Sequence, residues 1–463
     1  MKVPKPNLMR YRSRTSDPDA DVNWSIVIEM IQGMKMKRFG SILVKCFTIV
    51  GLSCLQLSVS NAQDWRVWRG PTLDGHAPTQ AEANVPVEWS EQQNMKWRAA
   101  VPGKGHASPI VVGGSIFLVS HIEQDRTICL LKYNAADGRP VGRLVLHRGV
   151  VAPPYLHKKN TCASGTPSSD GKAIYIVVQV GDAIHASAVS LQGRLIWQRA
   201  VAPYRAGNGW FGYGASPLLV GNVLVIPVET DNRDGGLFAI STVDGRPLWR
   251  APRPQETGYS SPILAEIQGQ PQILISGGHR IAAYRPSDGR LLWQVEATSR
   301  TTCGTMVWKN NMVFASGGYP EPGTYGVMVS ENGPKVMWQN RVKCYEQSML
   351  VAGDYLYGFA DNGIAYCWRC SDGQEMWRQR LGGPVSASPL LVGDRIYASN
   401  ERGLTFVFRA SPDKFELLAE NVLGDSSFAS PVYADGKLLL RHASSGSGTR
   451  QEFLAAVVAP ENP

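Results

Sequence analysis

The residues able to do chemistry are scattered along the chain. It has 463 residues, with eight histidines and eight cysteines among them. His76, His106, His121, His147, His157, His185, His279 and His442 never fall at the close spacing by which histidines share a metal. A zinc or iron centre built from clustered histidine is therefore not expected. Cys367-Trp-Arg-Cys370 has the spacing of a redox pair. Such chemistry needs a stabilised thiolate, commonly at a helix N-terminus, whereas this pair ends a strand and enters its turn. It is also only half of a four-cysteine zinc site. Asp231-Asn-Arg-Asp-Gly235 has too few alternating oxygen ligands for a calcium loop and reads as a polar turn. Glu346, Arg300, Arg205, Asp182 and Glu256 are ionisable, but the separations that make an acid–base pair are three-dimensional. No G-x-S-x-G, H-E-x-x-H or phosphate-binding loop is present. No catalytic residue and no metal ligand is assigned.

The elements that must position these groups are short strands. Gly258–Trp293 reads as four apolar runs of strand length, bounded by Gly, Pro, Asp or Ser, with no helical periodicity. The module recurs. Its opening residue falls at Pro109, Pro167, Pro217, Pro262, Met306, Met349, Pro389 and Pro431, and its closing hydrophobe at Trp97, Leu144, Trp197, Trp249, Trp293, Trp338, Trp377 and Leu417. A turn recurs between them as ADGR, TVDGR, PSDGR, ENGPK and CSDGQ. Spacings of 40–58 residues between openings are those of propeller blades. The expected fold is all-β: an eight-bladed β-propeller of four-stranded antiparallel blades. The strand around Trp97 precedes the first module and the last module lacks a closing strand, so that N-terminal strand is expected to complete the last blade. Seven blades is the alternative, if the degenerate Leu144 module is not a blade.

Each recurrent tryptophan (Trp97, Trp197, Trp249, Trp293, Trp338, Trp377) follows or faces a glycine turn, where a flat side chain fills the wedge between diverging blades. Its indole N–H needs a partner when buried, and the turn offers carbonyls. These are structural residues. The Ser-Pro openings are structural too, since Pro suits the first residue of a strand.

In such a disc the connections from outermost to next innermost strand cross one face from rim to axis. Two are long, 149–166 and 203–216, and rich in Tyr, Trp, His, Asn, Arg and Gly. Loops on a rigid scaffold carry function, and an axial concavity is the default binding place. The candidate ligand contacts are His106, His157, Arg205, Trp210, Tyr213, Tyr259, Arg300 and Glu346. Cys162, Cys303 and Cys344 precede inner strands, near the axis. Residues 63–96 read as a strap on the outside or base of the ring, anchored by Trp65, Trp68 and Trp89; residues 97–460 are the propeller.

Residues 1–62 read as a leader. Lys35, Lys37 and Arg38 precede the apolar Ser41–Val59, and Ser60-Asn61-Ala62 supplies small residues for cleavage near Ala62/Gln63. Residues 1–33, upstream of Met34 and Met36, fit a start codon set too early or a disordered leader. Removing 1–62 takes 9 of 47 basic and 4 of 38 acidic residues, leaving 38 against 34 and a charge of +4. No basic run in the rest grips phosphates, so nucleic acid is not an expected partner. A monomer in the periplasm or secreted, without a transmembrane segment in the mature chain, is expected. Of the six remaining cysteines (Cys129, Cys162, Cys303, Cys344, Cys367, Cys370) no pairing is assigned.

The pattern in AISTVDGRPLW and AAYRPSDGRLLW resembles the tryptophan-docking repeat of pyrroloquinoline-quinone (PQQ) type propellers. That family includes quinoprotein alcohol dehydrogenases and the lipoprotein propeller of the outer-membrane assembly machine. DWRVWRGPTLDGHAP and SSPILAEIQGQPQILISGG are similar to exported PQQ-like propellers of planctomycete type. The resemblance covers about 64–460 and concerns how blades pack. In the dehydrogenases it implies two adjacent cysteines against the quinone and Glu, Asn and Asp around calcium. This chain has no Cys-Cys dipeptide and no stretch matching those ligands, and the setting of Trp210 (GNGWFGYG) departs from the quinone-platform tryptophan. The resulting expectation is a non-enzymatic binding or scaffold propeller for an envelope protein, peptide or glycan, with no cofactor. The alternative is a PQQ- and calcium-dependent oxidoreductase of alcohols or sugars; hydrolase or lyase activity on polysaccharide from the same face is a third reading.

Overall fold

The computed structural model describes residues 64–77, 85–205, 211–446 and 448–460. The leader assigned to 1–62 and the candidate Trp210 lie outside the described residues. Among the described residues, no helix is long and apolar enough to cross a membrane.

The strands form eight sheets arranged as blades. In blade one Ile110–Val112, Ser115–Ile122, Thr127–Asn134 and Pro140–Arg148 run antiparallel from axis to rim. The second strand is buried almost throughout and the outermost is largely exposed. Middle strands are near-continuous apolar runs because neighbouring blades cover both their faces. The Leu144 module is a full blade, which settles the count at eight. Blade eight comprises Val432–Ala434, Lys437–Ser444 and Gln451–Val457, completed by Met95–Val101. Trp97 lies opposite Ala456 and Val101 opposite Glu452, so the N-terminal strand closes the ring as the module offset requires.

The tryptophans dock onto the next blade. Indole N–H groups donate to carbonyls in the following blade's outer turn: Trp97 to Ala135 (3.3 Å), Trp197 to Thr242 (2.9 Å), Trp249 to Pro286 (3.1 Å), Trp338 to Cys370 (2.8 Å) and Trp377 to Ser411 (2.8 Å). Trp293 departs, donating to Gln272 Oε1 of its own blade at 2.7 Å. Its neighbour's hairpin pairs Ser330 directly with Gly333, and so tight a loop presents no such carbonyl. In blade one, which ends in Leu144, the Lys132 ammonium takes the Leu191 carbonyl at 2.8 Å in place of an indole. Leu417 has no contiguous turn to meet, because that corner of blade eight is made by two distant segments, Val458 N–H donating to Asn94 O.

The turn glycine is required by this docking. A Cβ on Gly245 (φ +71°) would stand 2.8 Å from Trp197 Cε3 and from Arg199 Cγ. Gly193 (φ +83°), in the blade that receives Leu144, would meet nothing within 4 Å. Gly193→Ala thus isolates the left-handed backbone penalty, about 1–2 kcal/mol. Gly245→Ala adds displacement of the indole and should lower the melting temperature further; equal melting of the two variants would contradict the docking account.

Around the axis the hydroxyls before each inner strand form a chain from blade to blade. Backbone N–H groups of Ser108, Thr166, Ser216, Thr305, Ser348 and Ser388 donate to the side-chain oxygens of Thr166, Ser216, Ser261, Ser348, Ser388 and Ser430, at 2.8–3.0 Å. The Ser of Ser-Pro thus joins blades as well as opening strands. The strap does more than pack on the base. Trp65 bridges Val111, His76–Ala77 pairs parallel with Leu390–Val392 on the inner edge of blade seven, and Trp89 stacks on Tyr397. Between them Arg69 is buried, donating to the carbonyls of Pro389 (2.6 Å), Met349 (2.8 Å) and Asp74 (2.8 Å). The strap therefore crosses the channel.

Candidate functional site

The rim-to-axis connections enclose a cavity of about 260 Å³ on the axis. Its floor is Trp68, whose indole N–H donates to Thr305 Oγ1 at 2.8 Å, within the hydroxyl ring. Around the floor lie Thr166, Ser216, Ser261, Ser388 and Ser430. Above them the walls are aromatic: Phe211, Tyr259, Tyr319, Tyr345 and Phe428. Lys159, Lys343 and Glu346 supply the charge.

Four of the eight candidate residues come together here: His106, His157, Tyr259 and Glu346. His106 stacks on Phe428 (centroids 4.3 Å apart, 7° between planes), a contact across the ring closure. Its Nδ1 stands 3.1 Å from the Lys159 carbonyl. A carbonyl only accepts, so Nδ1 carries the proton and Nε2 is an acceptor. Among the described residues that Nε2 has no partner and is buried, and burial holds the imidazole neutral, with its pKa lowered to about 3. His157 packs edge-on against Phe211 (4.8 Å), and burial and two lysines lower its pKa.

Arg300, Arg205 and Tyr213 do not line the cavity. The Arg300 guanidinium lies 5.3 Å over the ring of Tyr319 and 3.9 Å from Glu256, at the margin. Arg205 lines a separate crevice with Tyr155, Tyr204 and Glu229. Tyr213 is buried in the core between blades two and three, edge-on to Tyr204 at 5.7 Å. An aromatic in a glycine-rich connection serves packing or recognition equally well, and only the path of the loop decides which.

The charged groups form one network. Lys159 lies 2.7 Å from Glu401 and 3.3 Å from Glu346, and the Ser386 hydroxyl sits between the two carboxylates, within hydrogen-bond reach of each, 2.7 Å from Glu401, with one proton to give to either. Burial raises the Glu346 pKa, opposed by Ser386 and Lys159. Burial disfavours the Lys159 charge, yet Glu401 and Glu346 hold its pKa above the ordinary range. Lys343 pairs with Asp361 at 3.4 Å and lies 4.9 Å from the Tyr345 ring centroid. Cys303 reaches the cavity as a protonated thiol, its pKa driven well up by burial and Glu346. The other five cysteines among the described residues are free as well. Cys367, in the strand Ile364–Arg369, and Cys370, in the turn after it, are buried in different clusters.

Lys159, Phe211, Tyr345, Ser386, Phe428 and the floor, Trp68, were not among the sequence candidates. Lys159 and Phe211 sit in the two long connections, and Tyr345 beside Glu346. Trp68 and Phe428 had no local signal, being brought in by the strap and by ring closure.

A family model described as "Outer membrane protein assembly factor BamB" matches residues 82–210 and 132–379. A polyvinylalcohol dehydrogenase of Pseudomonas sp is 29% identical over 138 residues, which are 27% of this chain and 21% of that relative, so the match spans about a fifth of its length. BamB from Moraxella catarrhalis has the same fold, with a TM-score of 0.58 and 12% identity over 77% of this chain and 98% of that one. A europium-containing methanol dehydrogenase is similar at TM-score 0.58 and 10% identity over 85% and 98%. Quinohemoprotein alcohol dehydrogenase ADHIIG from Pseudomonas putida HK5 is similar at 0.57 and 12% over 87% and 81%. At these identities the solved structures establish shared architecture.

Proposed function

Because this chain belongs to the family described as outer membrane protein assembly factor BamB, we propose that it is an exported, non-enzymatic binding or scaffold propeller. It recognises an envelope protein, peptide or glycan through the loop-rich axial face and works in the periplasm or as a secreted protein. The observation that carries this reading is the axial cavity, floored by Trp68 and walled by aromatic residues from several blades. Its charged side chains are already paired with other side chains and its thiol is protonated. Such a place holds a ligand by shape, stacking and hydrogen bonds. The leader pattern before Gln63 supports export.

The dehydrogenase reading draws support from the polyvinylalcohol dehydrogenase match and from the flat Trp68 floor. The donor set does not fit a calcium-bound quinone. Calcium takes six to eight oxygens, with carboxylates among them. The carboxylate that lines the cavity, Glu346, already holds the Lys159 ammonium and the Ser386 hydroxyl, and a cation beside it opposes a second one. Among the described residues, no group of three His, Cys, Asp or Glu could hold a metal.

Two measurements test the proposal. After incubation with PQQ and Ca²⁺ and desalting, the protein should retain no quinone absorbance and reduce no dye with alcohols or sugars; reduction would overturn the non-enzymatic reading. A photo-cross-linking residue at Phe211, on the axial face, should capture an envelope component that the same residue at Ile196, on the rim, does not. Capture from the rim alone would move the working surface.

A further inference from the structure

The axis is crossed twice. The strap closes the base of the cavity through Trp68, and the connection between blades one and two crosses the opposite end, giving His157, Lys159 and Asn160 to the lining. His157 meets Phe211, between blades two and three. The Lys159 carbonyl takes the His106 ring, at the junction of blades eight and one. The Lys159 ammonium reaches Glu346, between blades five and six and so halfway round the ring, and Glu401 in blade seven. A segment touching all four places lies across the mouth. Its ends are fixed: Val150 N–H bonds the Arg126 carbonyl at 2.9 Å, and the Ala163 carbonyl receives the His106 and Ala107 N–H groups at 3.1 Å. Between them, residues 151–160 form turns without strand or helix, and none belongs to a hydrophobic cluster of the described core. Asn160 donates to the Phe211 carbonyl at 2.6 Å and Gln179 to the Tyr155 hydroxyl at 3.2 Å, both on the near side. The ion pairs are what bind the segment to the far side. Segments with few buried apolar contacts open locally before the fold does.

We infer that residues 151–160 form a lid over the axial cavity, with Lys159 as its latch, closed across the axis on Glu346 and Glu401 with Ser386 between them. The inference rests on the binding reading above for what the lid admits, and adds control of access to it; its geometry needs no partner. The Lys159, Glu346 and Glu401 side chains are 24%, 23% and 12% exposed. A pair that only fixes the fold is shut away, as Glu229 and Arg253 are. The half-buried latch is instead worth about one charge-assisted hydrogen bond, so it opens reversibly while the blades stay folded. Opening bares the aromatic walls to whatever enters from that face.

Cys303, whose thiol lines the cavity, reports access. In the full protein, labelling by N-ethylmaleimide, read by peptide mass spectrometry, should be slow at Cys303, and Lys159→Met should speed it about tenfold, the effect of one charge-assisted hydrogen bond on the open population. Electrostatics alone would act the other way, because Glu346 raises the Cys303 pKa and loses its ammonium in the variant, while the thiolate is the reacting form. Glu401→Gln keeps the side-chain shape and should also speed labelling. The double variant should be no faster than Lys159→Met, since both changes break one latch. Cys129 and Cys367, buried in blade strands, should stay unlabelled throughout. Equal rates at Cys303 in the unaltered protein and both single variants would overturn the lid. Faster labelling of Cys303 only in step with Cys129 and Cys367 would overturn it too, since that is loosening of the blades. No partner takes part, so a failed lid leaves the binding reading standing, and failure to capture a partner from the axial face would count against that reading and leave the lid.

Discussion

Arg253→Met is expected to cost about 3–5 kcal/mol of folding stability, the usual penalty for removing one member of a buried ion pair. Glu229 and Arg253 are almost wholly buried, their side chains 3% and 0% exposed, with the guanidinium 2.7 Å from Glu229 Oε1. Arg253 also donates to the Tyr284 hydroxyl (3.3 Å) and the Gly277 carbonyl (3.2 Å), which joins blade three to blade four. Among the described residues Glu229 has no other partner to fall back on: Oε2 is already unbonded, and a Cβ on Gly258 would stand 2.0 Å from it. The variant leaves a charge in a dry site, which is dearer than the pair itself was worth. Replacing both, Glu229→Leu with Arg253→Met, should recover most of the loss, because a well-packed apolar pair often equals a buried ionic one. Urea midpoints at neutral pH read both effects. A single variant within about 1 kcal/mol of wild type, the usual range of an exposed pair, would show that the site is not dry.

Acid should destabilise the ring well above the carboxylate range. His106, His147 and His442 have folded pKa values lowered by burial from 6.5 to about 3, 4 and 4. His185 adds to the shift at His147 and Arg98 to that at His442. Above the unfolded value all three are neutral in both states, and their contribution is fully present. Between pH 6.5 and about 4 the unfolded chain binds protons that the folded chain refuses, so stability falls as pH falls. Each such histidine contributes about 1.4 kcal/mol per pH unit, and three together about 4 kcal/mol per unit. Among the described residues neither nitrogen of His442 makes a hydrogen bond of good geometry, so His442→Phe should remove about a third of that slope and leave neutral stability little changed. The folded pKa of Glu452 is also lowered: burial would raise it, but Arg441 and Arg450 outweigh burial. Its loss belongs to lower pH, as the medium falls through that depressed value. A flat urea midpoint from pH 7 to 5 would contradict the neutral burial of the three imidazoles.

The residues that repeat were legible as sequence and the residues that meet once were not. The Asp-Gly turn and the tryptophan repeat give blade number, closure by the Trp97 strand, and even the indole acceptors, since each is a local pattern renewed every blade. Trp293 was legible as a docking residue but not in its partner, because the tight Ser330–Gly333 hairpin changes the acceptor. The connections pointed to the face that carries the axial cavity and to His106, His157, Tyr259 and Glu346 in its lining. They could not separate these from Tyr213, which the same glycine-rich loop turns into the core.

The chain alone determined a closed eight-bladed ring with one loop-rich face, because strand period, turn chemistry and wedge-filling tryptophans are short-range properties. The fold alone decided the inside of the channel. Trp68 reaches Thr305 and Arg69 reaches Met349 across gaps of 237 and 280 residues, and His106 meets Phe428 only because the circle closes. Contacts of that span follow from where the whole ring delivers each segment, which no stretch of neighbouring residues encodes.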